Sequence, residues 1–250
     1  MSQEFNKIFN GIARHKNRYV VFSDFVTLSA ISIHNAVRKD EALETEYMSI
    51  VAGYSKEETT ALSQLLAELV MLLEPESTDI LGGLFMSLDL GNKGTGQFFT
   101  PSPVSSLMAQ VVYGEKLVLP EDGFITLSEP ACGAGGMVLA FVKRLIEEKH
   151  NPLHTLWAQC IDIDRLAALM CYLQLSLWHV PAQIIVGDSL SMKYREVFYT
   201  PAHYLGLWES KLKRHERNKT KTKKQTATVT PSSEIINLDD MVQTDLFENL

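Results

Sequence analysis

The chain has 250 residues, 46% of them hydrophobic and 21% charged, a globular composition with room for one large domain or two small ones. No run approaches ~18 consecutive apolar residues, and residues 1–18 hold no apolar leader core, so neither a membrane span nor secretion is expected. The net charge of −7 is unevenly spread: residues 209–225 carry eight Lys/Arg against two Glu, or +6, which leaves −13 for the rest. Such asymmetry can mark a nucleic-acid-binding tail on an acidic body.

The three cysteines, Cys132, Cys160 and Cys171, form no CxxC pair. The odd count suits a reducing cytoplasm and argues against a disulfide framework or a zinc ribbon. Their apolar surroundings read as core, and no metal site is expected.

Residues 1–90 read as a helical N-terminal segment. Asp24 to Val37 forms one apolar-rich stretch, and residues 57–73 place Leu62, Leu65, Leu66, Leu69 and Leu73 at helical spacing. Asp79 to Leu88 reads as a short helix interrupted by Gly82 and Gly83. A loop, Gly91 to Gly96, leads into Gly96–Pro101, the sequence GQFFTP. Phe98 and Phe99 can pack on a flat ligand or fill the core. A helix follows, with Ser102 as its cap, Pro103 at its first position and Val104, Leu107, Met108 and Val111 as an apolar stripe.

Ile125 to Val138, ITLSEPACGAGGMV, reads as strand, glycine turn and helix start. That arrangement brings backbone N–H groups and a helix N-terminus up to a polar ligand. Residues 156–161 read as a strand ending at Asp162, residues 165–179 as a helix, and residues 183–186 as a strand ending at Gly187-Asp188. Residues 195–199 read as a further strand. The alternation predicts a parallel sheet with helices on both faces. Ligands of such sheets sit at the carboxyl strand ends, so Glu129, Asp162 and Asp188 should line one crevice.

A dinucleotide is disfavoured there, because Val138 stands where the GxGxxG fingerprint has its third glycine. S-adenosylmethionine fits better. The glycine loop would take its amino-acid end, Asp162 its ribose hydroxyls and Asp188 its adenine amine. Ser189 lies in a GDSL block, but no His follows His215, so a serine hydrolase is discarded.

Taken together, GQFFTP, EPACGAGGM, CIDID and GDSL resemble the N6-adenine DNA methyltransferases, above all the modification subunits of type I restriction systems. The likeness runs from about Asp79 to Leu190. It implies a Rossmann-like, S-adenosylmethionine-dependent α/β core over residues 91–208, with a possibly incomplete sheet. Phe99, Thr100 and Pro101 would close over the methionine end of the cofactor. Glu129, Gly133 and Gly135 would lie beneath it. Asp162 would bind ribose, Ile163 would flank the adenine, and Asp188 would bind the adenine.

The family's Asn/Asp-Pro-Pro-Tyr/Phe motif, which holds and stacks a flipped adenine, has no counterpart here. Thr200-Pro201-Ala202-His203 is the nearest stretch. It is either a degenerate catalytic loop, with Thr200, Pro201 and His203 as its catalytic residues, or only a turn. The alternative to an enzyme is an inactive cofactor-binding accessory of DNA or of the replication clamp. A base pocket and sequence reader would come from a partner or specificity subunit, or be absent.

Residues 209–250 read as a disordered basic linker, with residues 211–224 against DNA phosphates, followed by an acidic peptide. Gln243-Thr244-Asp245-Leu246-Phe247 resembles the Gln-Leu-x-Leu-Phe peptide that binds the bacterial sliding clamp. Gln243 would orient it and Leu246 and Phe247 would anchor it, while Thr244 departs from the usual leucine.

Overall fold

The computed structural model describes residues 3–88, 90, 99–113 and 117–227. Residue contacts divide the chain into two units, Met1–Lys211 and Leu212–Leu250. The expected helical segment and the expected core therefore share one unit. The 91–96 loop, Phe98 and the clamp-like peptide with Gln243, Leu246 and Phe247 lie outside the described residues.

Five helices open the chain: α1 (Gln3–Gly11), α2 (Arg18–Val37), α3 (Glu41–Val51), α4 (Lys56–Leu73) and α5 (Ile80–Ser87). Local chemistry starts four of them. Asn17 accepts from the Tyr19 N–H, Asp40 from those of Ala42 and Leu43, and Asp79 from that of Gly82, while Ser55 and Glu58 form a reciprocal capping box. Gly82 does not interrupt α5. A Cβ there would lie 2.1 Å from Asp79 Oδ2, so the glycine is what lets the cap close. Leu62, Leu65, Leu69 and Leu73 of α4 are buried, as their spacing predicts.

An aromatic cluster holds this bundle together. The Phe5 and Phe25 rings lie 5.9 Å apart, Phe9 and Phe22 6.2 Å, and Phe22 and Phe85 5.8 Å, mostly edge to face. Burial of each such ring stabilises by roughly 1.5–3 kcal/mol. By length and composition α2 could cross a membrane, its most apolar window reaching a mean hydropathy of 1.4. Here it packs into the protein, chiefly against a later helix and α3.

The α/β part follows: α6 (Ser102–Tyr113), β1 (Ile125–Glu129), α7 (Gly136–Glu147), α8 (Pro152–Thr155), β2 (Leu156–Asp162), α9 (Arg165–Leu177), β3 (Ala182–Asp188), β4 (Lys193–Tyr199), α10 (Pro201–Leu205) and α11 (Trp208–Ala227). Ser102 is the first residue of α6 rather than its cap. The Pro101 carbonyl instead accepts the Val104 and Ser105 N–H groups at 2.9 and 3.1 Å.

Among the described residues the sheet has four strands in the order β1-β2-β3-β4. The first three are parallel, with Glu129 opposite Cys160 and Asp162 opposite Val186. β4 pairs antiparallel with β3, so the sheet is mixed and not fully parallel as expected. The cause is the link. Only residues 189–192 separate the two strands, too few for a crossover, which needs a dozen or so residues.

The expected double cover is incomplete among the described residues, where Ile161 and Ile185 are buried on the second face but most of its other positions are not. Leu156, Ala158, Cys160, Ala182, Ile184, Val186 and Phe198 share one face and are buried. On the other face Thr126, Ser128 and Val197 are exposed and Trp157, Gln159, Gln183 and Tyr199 half-buried. A polar ladder lines that face: Gln159 Nε2 donates to Gln183 Oε1 at 3.0 Å, and Gln183 Nε2 to the Tyr199 hydroxyl at 2.7 Å.

Arg165 joins the layers. Its Nε donates to Glu196 of β4, and its two terminal nitrogens grip Glu46 of α3 at 2.9 Å each. The disordered linker expected from residue 209 onward is instead helical as far as Ala227, in a helix that starts at Trp208. Lys, Arg, Gln and Glu are good helix formers even where nothing apolar is available to bury.

Candidate functional site: a glycine loop beneath three strand-end carboxylates

Parallel pairing puts the carboxyl ends of β1, β2 and β3 at one end of the sheet. The register makes them a staircase. Asp162 stands two residues beyond the partner of Glu129, and Asp188 two beyond the partner of Asp162. Each step is ~6.6 Å along the strands, and an even step keeps all three carboxylates on the same face.

The loop from Pro130 to Gly135 folds under this end. The Cys132 N–H donates to the Ile161 carbonyl at 2.9 Å, and the Gly135 N–H to the Cys132 carbonyl at 2.8 Å. Gly133 has φ +53° and Gly135 φ +94°, left-handed conformations natural to glycine. Space demands glycine too. A Cβ on Gly133 would lie 3.2 Å from the Phe99 ring, and one on Gly135 3.0 Å from Cys171 Sγ. Gly135 caps α7, whose first-turn N–H groups face the crevice end of the loop.

Asp162 ties strand to loop. Its Oδ2 accepts the Gly133 N–H and its Oδ1 the Asp164 N–H, both at 2.8 Å. Burial pushes this carboxyl above its ordinary range, and the two N–H bonds pull back. Ile163 beside it is exposed. Glu129 accepts the Ala131 N–H at 3.2 Å and is likewise raised, first by burial. Asp188 differs. It accepts the Leu190 and Ser191 N–H groups and the Ser191 hydroxyl, which hold its carboxyl below the ordinary range and shape the turn into β4.

Phe99 lies over Gly133 and meets Phe85 edge to face at 5.3 Å. Thr100 and Pro101 follow it at the start of α6. The structure thus brings Phe99, Glu129, Gly133, Gly135 and Asp162 to one end of the sheet, with Ile163 and Asp188 at the adjoining strand ends.

It does not bring Thr200, Pro201 and His203 there. Because β4 runs antiparallel, its carboxyl end returns to the amino ends of β2 and β3, ~20 Å along the strands from the crevice. Thr200 is fully buried: its hydroxyl accepts the Ala182 N–H at 2.9 Å and donates to the Val180 carbonyl at 2.7 Å. Pro201 starts α10. His203 Nδ1 accepts the Trp157 indole N–H at 3.2 Å, and burial lowers its pKa. These residues close the far end of the sheet, which corrects the expectation of a catalytic loop at this stretch.

Two positioning residues escaped the sequence reading. Gln174 is completely buried in α9; its amide donates to the Ala134 carbonyl at 2.7 Å and to Asp79 at 3.0 Å, and its oxygen accepts the Ile80 and Leu81 N–H groups. It pins the glycine loop to the start of α5. Burial raises the Asp79 carboxyl. A lone glutamine among Leu173, Leu175 and Leu177 was the available signal. The three cysteines also prove to be neighbours. All are buried, and the Cys132 thiol donates to the Gly133 carbonyl at 3.5 Å. The closeness of the other thiols and burial hold Cys132 and Cys171 well above the ordinary thiol range. Among the described residues no cluster is arranged to hold a metal ion.

A parallel β-α-β-α-β unit with a glycine loop locked to the second strand's terminal acid is the arrangement in which open α/β sheets seat a ligand at the carboxyl ends of their strands. Residues 84–233 match the N-6 DNA Methylase family, and the chain belongs to it. Over 134 residues it is 28% identical to the type I restriction enzyme MpnII methylase subunit of Mycoplasma pneumoniae, a match that spans half of this chain and 23% of that protein. The chain thus spans about a quarter of that relative's length. Among solved structures, a Listeria monocytogenes protein classed with the class I S-adenosylmethionine-dependent methyltransferases is 16% identical, with 75% of this chain and 53% of that one covered and a TM-score of 0.40. A type I restriction-modification methyltransferase subunit from Streptococcus thermophilus is 18% identical, with coverage of 66% and 38% and a TM-score of 0.38.

Proposed function

We propose that this chain binds S-adenosylmethionine as the cofactor module of an adenine-N6 DNA methyltransferase. The bond from the Gly133 N–H to the Asp162 carboxylate carries the reading. It fixes a glycine loop against an acid with lone pairs still open to ribose hydroxyls. Phe99, Thr100, Pro101, Glu129, Gly133 and Gly135 would hold the amino-acid end, Asp162 and Ile163 the nucleoside, and Asp188 the adenine. When bound, the cofactor supplies an electrophilic methyl group. The residues of this chain bind and orient it; Glu129, raised by its burial, would face the amino-acid end.

A second reading is favoured by the position of Thr200, Pro201 and His203 at the far end of the sheet. The group that holds the target adenine is then supplied from outside residues 84–208, by a partner subunit. Without one, the chain is a cofactor-binding accessory in the cytoplasm. The basic stretch 211–224 would contact DNA phosphates, and Gln243, Leu246 and Phe247 would engage a sliding clamp. The division into a helical segment 1–90, a core 91–208 and a tail 209–250 belongs to the same reading.

Titration calorimetry tests it. Wild-type protein should bind S-adenosylmethionine, and Asp162→Ala should abolish the heat while keeping its circular dichroism spectrum. Equal affinity in the two proteins would remove the assignment.

A further inference from the structure

Tyr19 stands in the first turn of α2 and is 39% exposed. Its backbone N–H goes to Asn17, but among the described residues nothing pairs with its hydroxyl. The helix carries it to the crevice end of the sheet. α2 packs along α9, and His34, near its other end, meets the Phe198 ring at 5.8 Å. Phe198 pairs with Ile184, in the amino half of β3. The rise from His34 back to Tyr19 is ~22 Å, while Asp188 stands only ~13 Å along its strand from Ile184. The first turn of α2 therefore reaches the carboxyl ends of the strands.

Contacts close a circuit there. Gly133 touches both the Phe99 ring, 3.2 Å from where a Cβ would stand, and the Asp162 carboxylate, 2.8 Å from its N–H. From Phe99 the path runs to Phe85 at 5.3 Å and from Phe85 to Tyr19 at 6.2 Å, both edge to face. From Asp162 it runs to Asp164, whose N–H Asp162 accepts. Tyr19 completes the ring, near enough to Asp164 to feel its charge. Burial first, and then that charge, hold the phenol above its ordinary range. The hydroxyl keeps its proton and remains a donor.

A donor is what Asp162 lacks. Ribose hydroxyls both donate and accept, and a carboxylate only accepts. We propose that Tyr19 belongs to the cofactor site: its hydroxyl donates to the ribose from which Asp162 accepts, and its ring shields that side of the nucleoside from water. This rests on the S-adenosylmethionine reading above and adds to it a binding residue from the helical bundle. The family match begins at residue 84, so Tyr19 lies outside it. It is a contact that this chain's own bundle supplies.

Titration calorimetry of the full chain with S-adenosylmethionine and with its demethylated product, S-adenosylhomocysteine, tests this. Tyr19→Phe keeps the ring and loses the hydroxyl. It should weaken both ligands about fivefold, because both carry the ribose. Tyr19→Ala should weaken both more than ~20-fold. A purely structural role would lower the melting temperature of the alanine variant and leave the affinity of the phenylalanine variant alone. Fluorotyrosine labelling gives a direct readout: the fluorine resonance missing from Tyr19→Phe should shift when wild type is saturated with either ligand. Wild-type affinity in Tyr19→Phe, or a resonance that ignores both ligands, would overturn the proposal, while wild-type heat that Asp162→Ala abolishes would still uphold the cofactor reading. A loss confined to S-adenosylmethionine would place the contact at the sulfonium and overturn the ribose assignment. No heat from wild type would remove both readings.

Discussion

Gly135 answers two demands at once: a backbone φ of +94° and a closest approach to Cys171 of 3.0 Å from its missing Cβ. Gly135→Ala should therefore destabilise the protein by ~1–3 kcal/mol, read from urea unfolding. Adding Cys171→Ala should restore only the steric part, because the dihedral strain remains. Asp188 makes a different kind of prediction. Its bonds to Leu190 and Ser191 hold its folded pKa below the ordinary 3.8. A depressed carboxylate contributes stability that is present above the unfolded pKa and lost as pH falls through the folded one. Unfolding midpoints of wild type and Asp188→Asn should thus differ at neutral pH and converge as pH falls through the folded pKa of Asp188. Asp162 is shifted the other way by burial, so its protonation, and with it the release of the Gly133 N–H, begins at a higher pH than for an ordinary aspartate.

Elements were easier to read than their directions. The ends of β1, β2 and β3 were legible because β-branched runs stop at glycine or acid, and the seating of ligands at carboxyl strand ends then placed Glu129, Asp162 and Asp188 in one crevice. The fourth strand was found, but its loop was assigned to the wrong end of the sheet, since a strand reads the same whichever way it runs. The link of residues 189–192 held that information. Thr200→Val follows from the corrected position: it should lower stability by ~1–3 kcal/mol through the Ala182 N–H left unpaired, and leave cofactor affinity unchanged. Calorimetry beside thermal melting separates the two. Asp79 and Gln174 were not legible, because their partnership joins residues 95 apart in the chain. Helix α11 was missed since its residues show no apolar periodicity, the signal used for the others.

At the scale of the molecule, an aromatic path from Phe5 and Phe22 through Phe85 to Phe99 reaches the ring that covers Gly133. The helical bundle is thus part of the support of the loop. The bundle and the loop are joined again by Gln174, so loosening α5 should loosen both. The same construction gives the molecule a chromogenic reporter that needs no label. Cys132, Cys160 and Cys171 are free thiols sealed beneath the loop, and an aromatic disulfide reagent can reach them only when the loop lifts. The rate of colour release then counts loop openings in the native state. A ligand seated on the loop should slow that rate by the factor 1 + [L]/Kd, so a titration of reaction half-times against S-adenosylmethionine should return the calorimetric affinity. Half-times that ignore the cofactor would mean that the thiols are reached through α9 instead.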